Sequence, residues 1–465
     1  MVRARGLVIL GDRGNTISGV ARLRALLVAG VAVALLGGLA LVTAPPWRQE
    51  AVQPPPATTQ SSTPPNQAAV VPPPSGDRAQ AAQSMLRSRA EALGKRDERA
   101  FMASVDPDAE PAFRDAQRAL FANLANVPLR EWSYTLQPLR SLDPSVLPNV
   151  PGAQELWAPE IDLVYALRGA DPSPTHRPMG YLLVKRADSW FIRSDTDLLG
   201  VGRRTWRGPW DFGPCLVITT ARGVVLTHPA REAMAKRVAA ELDGAVQSVA
   251  GVWPTGWSQQ AVVVLPDSNE EMKALVGPNF PVESVVAVSV ADRVDTDRGA
   301  AEGQRVVMSA TSADALSVTA LRIVLRHEFT HIAARGSTVD GSPMWVLEGF
   351  ADYVGYRDSG IPLAQAAPDL NASMLTSGPP GRLPSDEEFR GQGRTLDMAY
   401  QKSFSAARFV ADKLGEDKLV ELYRVLAKTG RVGQDKIDNL LVSVIGLNTE
   451  QFVAGWQEYL RETLG

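Results

Sequence analysis

The stretch Leu325–Gly336, LRHEFTHIAARG, and the stretch Pro343–Val354 behind it, PMWVLEGFADYV, decide how this chain is read. Two of only four histidines, His327 and His331, stand four residues apart, and Glu328 follows the first directly. Leu321, Val324, Leu325, Glu328, His331 and Ile332 recur at the helical period. Thr311 and Asp314 read as a capping-box-like start, and Arg335 with Gly336 as a stop. The spacing predicts a helix of about 24 residues. Positions i and i+4 share a helix face, so His327 and His331 can offer two imidazole nitrogens to one metal ion. Glu328 lies beside them and can reach a bound water without occupying a coordination position.

Two nitrogens do not complete a catalytic zinc site, which usually takes three protein ligands and a water. A second helix is written where the third ligand should come from. Ser342 is a good N-cap and Pro343 suits the first helical position. Sixteen residues separate His331 from Glu348, enough for a turn and a helix folding back. Glu348 is therefore expected as the third ligand. Asp352, four residues on, is expected to accept the other N–H of a histidine, His327. An H-E-x-x-H by itself is unspecific. The Glu348 helix with its Asp352 adds to it. So does the several kcal/mol it would cost to bury His327, His331 and Glu328 unpartnered among Leu321, Leu325 and Ile332. Together these point to Zn2+.

HEFTH, a short spacer and WVLEGFADY resemble the gluzincin metallopeptidases, in particular the peptidase-MA-like and aminopeptidase branches. The likeness spans about residues 215–465. It implies that His327, His331 and Glu348 bind zinc, that Glu328 is the general base, and that Asp352 supports a histidine. AYQKSFSAARFVADKLG and IGLNTEQFVAGWQEYL resemble the helical tail of peptidase-MA-like proteins, where Tyr400 aligns with a tyrosine that stabilises the oxyanion. The spacer is shorter than in aminopeptidases, and the Gly-x-Met-Glu-Asn segment that holds a free amine in those enzymes is missing. The resemblance therefore implies a zinc peptidase and not an aminopeptidase in particular.

The rest of the chain sets the frame. At 465 residues it exceeds one ordinary core, so at least two domains are expected. A net charge of -3 without a basic stripe argues against a nucleic-acid partner. Cys215 is the only cysteine, which excludes an intramolecular disulfide and a thiolate-rich metal cluster. Residues 25–44, ALLVAGVAVALLGGLALVTA, carry no charge over a length that matches a membrane span of about 30 Å. Arg3, Arg5, Arg13, Arg22 and Arg24 precede it, which places residues 1–24 in the cytoplasm and the bulk of the chain outside the cell membrane. A cleaved signal peptide is the competing reading, set against it by the length of the apolar run and by Pro45 and Pro46 after it. Residues 45–76 are Pro-, Ser- and Thr-rich and read as linker.

Residues 77–196 place helical patterns before strand-like ones, an α+β order that resembles the nuclear-transport-factor-2-like cone fold. His176 sits in a loop-like composition and His228 at a strand end or turn, and neither is expected to bind metal. Residues 197–214 read as a connection, with Trp206 and Trp210 packing between domains. The expected fold class is thus α+β multidomain. It comprises a transmembrane helix, a Pro-rich linker, a cone-like domain, and a zincin-like metallopeptidase domain with a β-rich first half and a helical second half. The expected function is hydrolysis of a peptide or protein substrate. Two other classes stay open: a membrane-tethered binding or scaffold protein with a structural or vestigial zinc, and a zinc hydrolase acting on a cell-wall amide.

Overall fold

The computed structural model describes residues 75–465. Three helices open the first half, α1 (Ser75–Gly94), α2 (Glu98–Met102) and α3 (Pro111–Asn123). Helix α1 starts two residues inside the stretch read as linker. Six strands follow: β1 (Leu129–Gln137), β2 (Glu155–Trp157), β3 (Glu160–Leu167), β4 (Thr175–Met179), β5 (Leu182–Arg186) and β6 (Ser189–Ser194). They form two three-stranded sheets, β1-β3-β4 and β2-β5-β6. The loop-like stretch around His176 is strand β4. It tolerates Pro178 because it lies at a sheet edge, where one side of the backbone needs no donor. His176 itself is exposed.

The second half begins with β7 (Leu216–Thr220), β8 (Gly223–Thr227), α4 (Glu232–Val252), β9 (Ala261–Leu265) and α5 (Asn269–Val276). Then come β10 (Ala287–Val290), β11 (Arg293–Asp295), β12 (Ala300–Glu302) and β13 (Arg305–Met308). Five of these strands form one sheet in the order β10-β13-β9-β8-β7. Strand β9 pairs parallel with β8 and with β13, while β7 and β10 pair antiparallel at the two edges.

This topology corrects the expected fold class. Parallel neighbours need a crossover, which α4 supplies between β8 and β9, so the described chain is mixed α/β and not a segregated α+β arrangement. Its sign in the sequence is the unbroken apolar run AVVVL of β9, buried along its whole length, as strands covered on both faces are. No helix among the described residues is long and apolar enough to cross a membrane. The expected transmembrane helix at 25–44 lies outside the described residues, as do residues 1–24 and most of the expected linker. The fold class shown by the described residues is therefore mixed α/β, without a membrane helix among them.

Strand periodicity sorts the sheet's two faces. Val225, Val263 and Leu265 pack with Val238 and Leu242 of α4. Val224, Leu226, Val262 and Val264 pack with the first half, including Tyr165, Trp210 and Cys215. Trp206 stacks on Tyr165 with ring centres 5.6 Å apart, and Trp210 meets Tyr165 edge-on at 5.4 Å. Buried ion pairs fasten the same junction. Arg305 donates two hydrogen bonds to the Asp171 carboxylate, at 2.6 and 2.8 Å. Thr175 and Arg177 of β4 both bind Asp292, three residues beyond Ser289. The halves thus share one interior.

Everything after β13 is helical: α6 (Val318–Ala334), α7 (Met344–Tyr356), α8 (Leu363–Ala366), α9 (Pro368–Ser377), α10 (Arg394–Leu414), α11 (Glu416–Leu426), α12 (Gln434–Ile445) and α13 (Thr449–Leu464). Helix α6 is shorter than expected. Its cap is Ser317, whose hydroxyl accepts from the Ala320 amide. The expected start at Thr311 and Asp314 fails because Ser309 Oγ accepts from the Thr311 and Ser312 amides and Arg231 takes the Asp314 carboxylate. Ser342 is not the cap of α7 either. Its hydroxyl donates to the Ala427 carbonyl and accepts from the Gly430 amide, and Asp386 receives the Met344 N–H instead. Helix α7 lies against both α6 and α10 because it is glycine-bearing at the crossings. A Cβ at Gly349 would stand 2.4 Å from the Ser403 carbonyl oxygen of α10, and one at Gly355 would stand 3.1 Å from the Ile323 carbonyl oxygen of α6.

Candidate metal centre

Helix α6 carries His327, Glu328 and His331, and α7 carries Glu348 and Asp352. All five are buried, at 4 % exposure or less. His327 Nε2 and His331 Nε2 face each other at 3.1 Å. Glu348 Oε2 lies 3.4 Å from the first nitrogen and 3.6 Å from the second. One ligand atom from each residue falls within 4.8 Å of the other two, and among the described residues no other trio of His, Cys, Asp or Glu does this.

The donor chemistry fits a cation at that point. His327 Nδ1 is 2.9 Å from Asp352 Oδ1. A carboxylate there can only accept, so Nδ1 donates to Asp352 and Nε2 is the nitrogen turned toward His331 and Glu348. Both Glu348 oxygens are buried without a hydrogen-bond partner. An unpartnered buried carboxylate beside two converging imidazole nitrogens is costly in a protein interior, and a divalent ion would relieve it. Zinc takes His nitrogens and carboxylate oxygens in this combination. The cluster is thus compatible with zinc.

The electrostatics agree. Burial alone would raise the Glu348 carboxyl, but the adjacent His331 and His327 rings outweigh it and hold it down at about 2, so it is an anion. Burial opposes a charged His327, yet Asp352 and Glu348 push the ring well above the ordinary histidine range. Glu328 is moved up by burial, partly offset by the two imidazoles. Tyr400, on α10, is pushed well above the usual phenol range by burial first and then by the charges of Glu348, Asp352 and Glu328. It therefore keeps its proton and remains a donor. Phe389 covers its ring edge-on, with centres 5.3 Å apart.

Two groups sit differently from expectation or were not foreseen. His228 directly follows strand β8, the strand end expected of it, and its burial there was not foreseen. Nδ1 donates to the Pro214 carbonyl at 3.0 Å and Nε2 faces the Glu271 carboxylate at 3.0 and 3.1 Å. Ser289, on edge strand β10, had no place among the expected site residues. Its hydroxyl lies 2.5 Å from Glu328 Oε2 and 3.0 Å from the Glu328 carbonyl oxygen, while Glu328 Oε1 has no partner. The available signal was Ser289, a serine inside the apolar run of SVVAVSVAD.

No protein-family model matches the chain, and no curated protein matches it. Among solved structures it is similar to an M1 zinc metallopeptidase from Deinococcus radiodurans, a mutant bound to a Tyr-Ser-Ala substrate, with 16 % identity and a TM-score of 0.31. The match covers 52 % of this chain and 52 % of that one, so the chain spans about half the length of that structure. At that score the likeness assigns no fold, and the chemistry has to be read from the side chains.

Proposed function

We propose that the chain is a zinc-dependent peptidase that hydrolyses peptide bonds at the His327–His331–Glu348 centre. The observation that carries this is Glu328. It is buried beside the cluster, contributes no ligand atom to it, and leaves Oε1 without any partner. A metal site that only braces a fold has no use for such a group, whereas a hydrolase needs a base next to its metal. When bound, zinc would polarise a scissile carbonyl and lower the pKa of a coordinated water toward about 7.

His327, His331 and Glu348 would hold the ion, with Asp352 fixing the His327 tautomer. Glu328 would take the proton of the attacking water on Oε1 and pass it to the leaving amine nitrogen. Burial favours its protonated form, which makes it a better acceptor than an exposed carboxylate. Tyr400 would donate to the substrate oxygen as that oxygen gains charge.

The depth of the site favours one other reading, a closed metal centre without turnover, since His327 and Glu348 are fully buried and His331 is 4 % exposed. Glu328→Gln separates the two. On the peptidase reading it keeps its zinc, measured by metal analysis, and loses about a hundredfold or more of its activity on a peptide library, as removal of a positioned base does. Glu348→Ala should lose zinc instead. Equal turnover by Glu328→Gln and wild type would end the peptidase reading.

A further inference from the structure

We infer that Ser289 is the positioning residue for Glu328, dividing its two carboxylate oxygens into one that is held and one that works. The inference rests on the peptidase reading for its consequence, but on the geometry of β10 and α6 for its substance.

Strand β10 is the edge of the five-stranded sheet and follows the usual alternation. Val288 and Val290 point toward the cluster that holds Met272 and Val276 of α5. Ala287 points to the opposite face, into the core shared with α6, and Ser289, two residues on, lies on that face too. A hydroxyl facing an apolar helix packing surface is unfavourable unless it is bonded. Here its one proton meets two acceptors of a single residue, Glu328 Oε2 at 2.5 Å and the Glu328 main-chain oxygen at 3.0 Å, with Oε2 the nearer. One hydroxyl thus spans the start and the end of the same side chain, which restricts the torsions between them. It also occupies Oε2, the donor lying closer to that oxygen than to the carbonyl. Oε1 is then the free oxygen, and it is the one without a partner.

A bond serving only stability would be content with either oxygen and either rotamer. A base cannot be, because the accepting atom must meet its proton within hydrogen-bond reach, and small displacements at that point are costly. The edge strand therefore contributes a side chain to the centre. The hydroxyl's bonding partners are atoms of Glu328, and it acts through that residue.

The test uses the full zinc-loaded chain. Ser289→Ala should keep its zinc content, leave KM within about twofold, and lower kcat by about tenfold to a hundredfold, the range that one hydrogen bond to a charged group supports. Ser289→Thr, which restores the hydroxyl, should recover most of that loss. A second readout needs no turnover. Acetohydroxamic acid binds zinc and donates its hydroxyl to a neighbouring carboxylate. Its affinity should drop in Ser289→Ala, and Ser289→Ala should add no further drop in a Glu328→Gln background. If peptides are cleaved but Ser289→Ala matches wild type in kcat and in hydroxamate affinity, the positioning role is wrong and the peptidase reading stands. If the wild type cleaves nothing but the hydroxamate series holds, the reverse is true. A loss in Ser289→Ala that tracks lost zinc, or that persists undiminished in the Glu328→Gln background, overturns the positioning role.

Discussion

Removing the Asp352 carboxylate should weaken zinc binding without abolishing it, and the size of the effect follows from one bond. Asp352 Oδ1 accepts from His327 Nδ1 at 2.9 Å, and both residues are buried. Asp352→Ala leaves that N–H without an acceptor, a cost of about 1–3 kcal/mol for a buried donor. It also frees the ring to move its proton to Nε2, the atom that must face the ion. At about 1.36 kcal/mol per decade this is roughly a 5- to 160-fold rise in Kd, overlapping the about 10- to 100-fold typical of groups that support a metal ligand. Asp352→Asn keeps the shape and one acceptor but loses the charge, so it should fall nearer the lower end. Glu348→Ala removes a ligand outright and should exceed both. Competition against a chromophoric chelator, with folding checked by circular dichroism, measures all three in one series. If Asp352→Ala bound zinc as tightly as wild type, the tautomer argument would be refuted. If it bound as weakly as Glu348→Ala, Asp352 would itself be a ligand and the assignment of the α7 carboxylates would have to be redrawn.

Two further outcomes follow from particular contacts. Gly349→Ala, which in an unencumbered helix would stabilise by about 0.5–1 kcal/mol, should instead destabilise by about 1–3 kcal/mol of overpacking. The new Cβ meets the Ser403 main chain at 2.4 Å, and backbone cannot yield as a side chain would; a thermal midpoint at or above wild type would count against the α7–α10 packing described. His228 faces acceptors on both ring nitrogens, so it is held as an imidazolium. Burial opposes the charge, but Glu271 outweighs it and raises the ring above the ordinary histidine range. A raised folded-state pKa stabilises fully below the unfolded value of about 6.5 and is lost as pH climbs through the folded value. The denaturant midpoint of the zinc-loaded protein should therefore fall on that climb, and His228→Asn should flatten the fall; parallel curves would contradict the pairing.

The centre was largely written in the sequence because it is helical. Spacings of four fix a face without any knowledge of the partner, so His327 with His331, and Glu348 with Asp352, could be placed on shared faces from numbering alone. Helix starts were less legible. Asp314 and Ser342 have the chemistry of caps, yet Arg231 claims the first and the 427–430 turn claims the second. A cap is a competition among donors and acceptors, and the distant competitors are invisible in a local window. The sheet order was hidden for a related reason. An apolar run such as AVVVL announces burial on both faces but not the direction of its neighbours, and the parallel pairings made by β9 turned the expected segregated architecture into a mixed one.

Ser289 shows where local pattern stops being informative. A serine in a valine-rich strand reads as a slightly poor strand residue, and its meaning depends on which helix crosses that face. The same strand is tied from the other side. Three residues beyond Ser289, Asp292 is held by Thr175 and Arg177 of β4, within a junction that also buries the Asp171–Arg305 pair. Breaking one partner of such a buried pair typically costs about 3–5 kcal/mol, so the first half is not a detachable neighbour of the second. The position of β10, and with it the oxygen that Glu328 leaves free, depends on contacts made more than a hundred residues earlier in the chain. The residues that would bind the ion come from one short stretch, but the orientation of the Glu328 carboxylate beside them is a property of the whole assembly of sheet, helix and first-half strands.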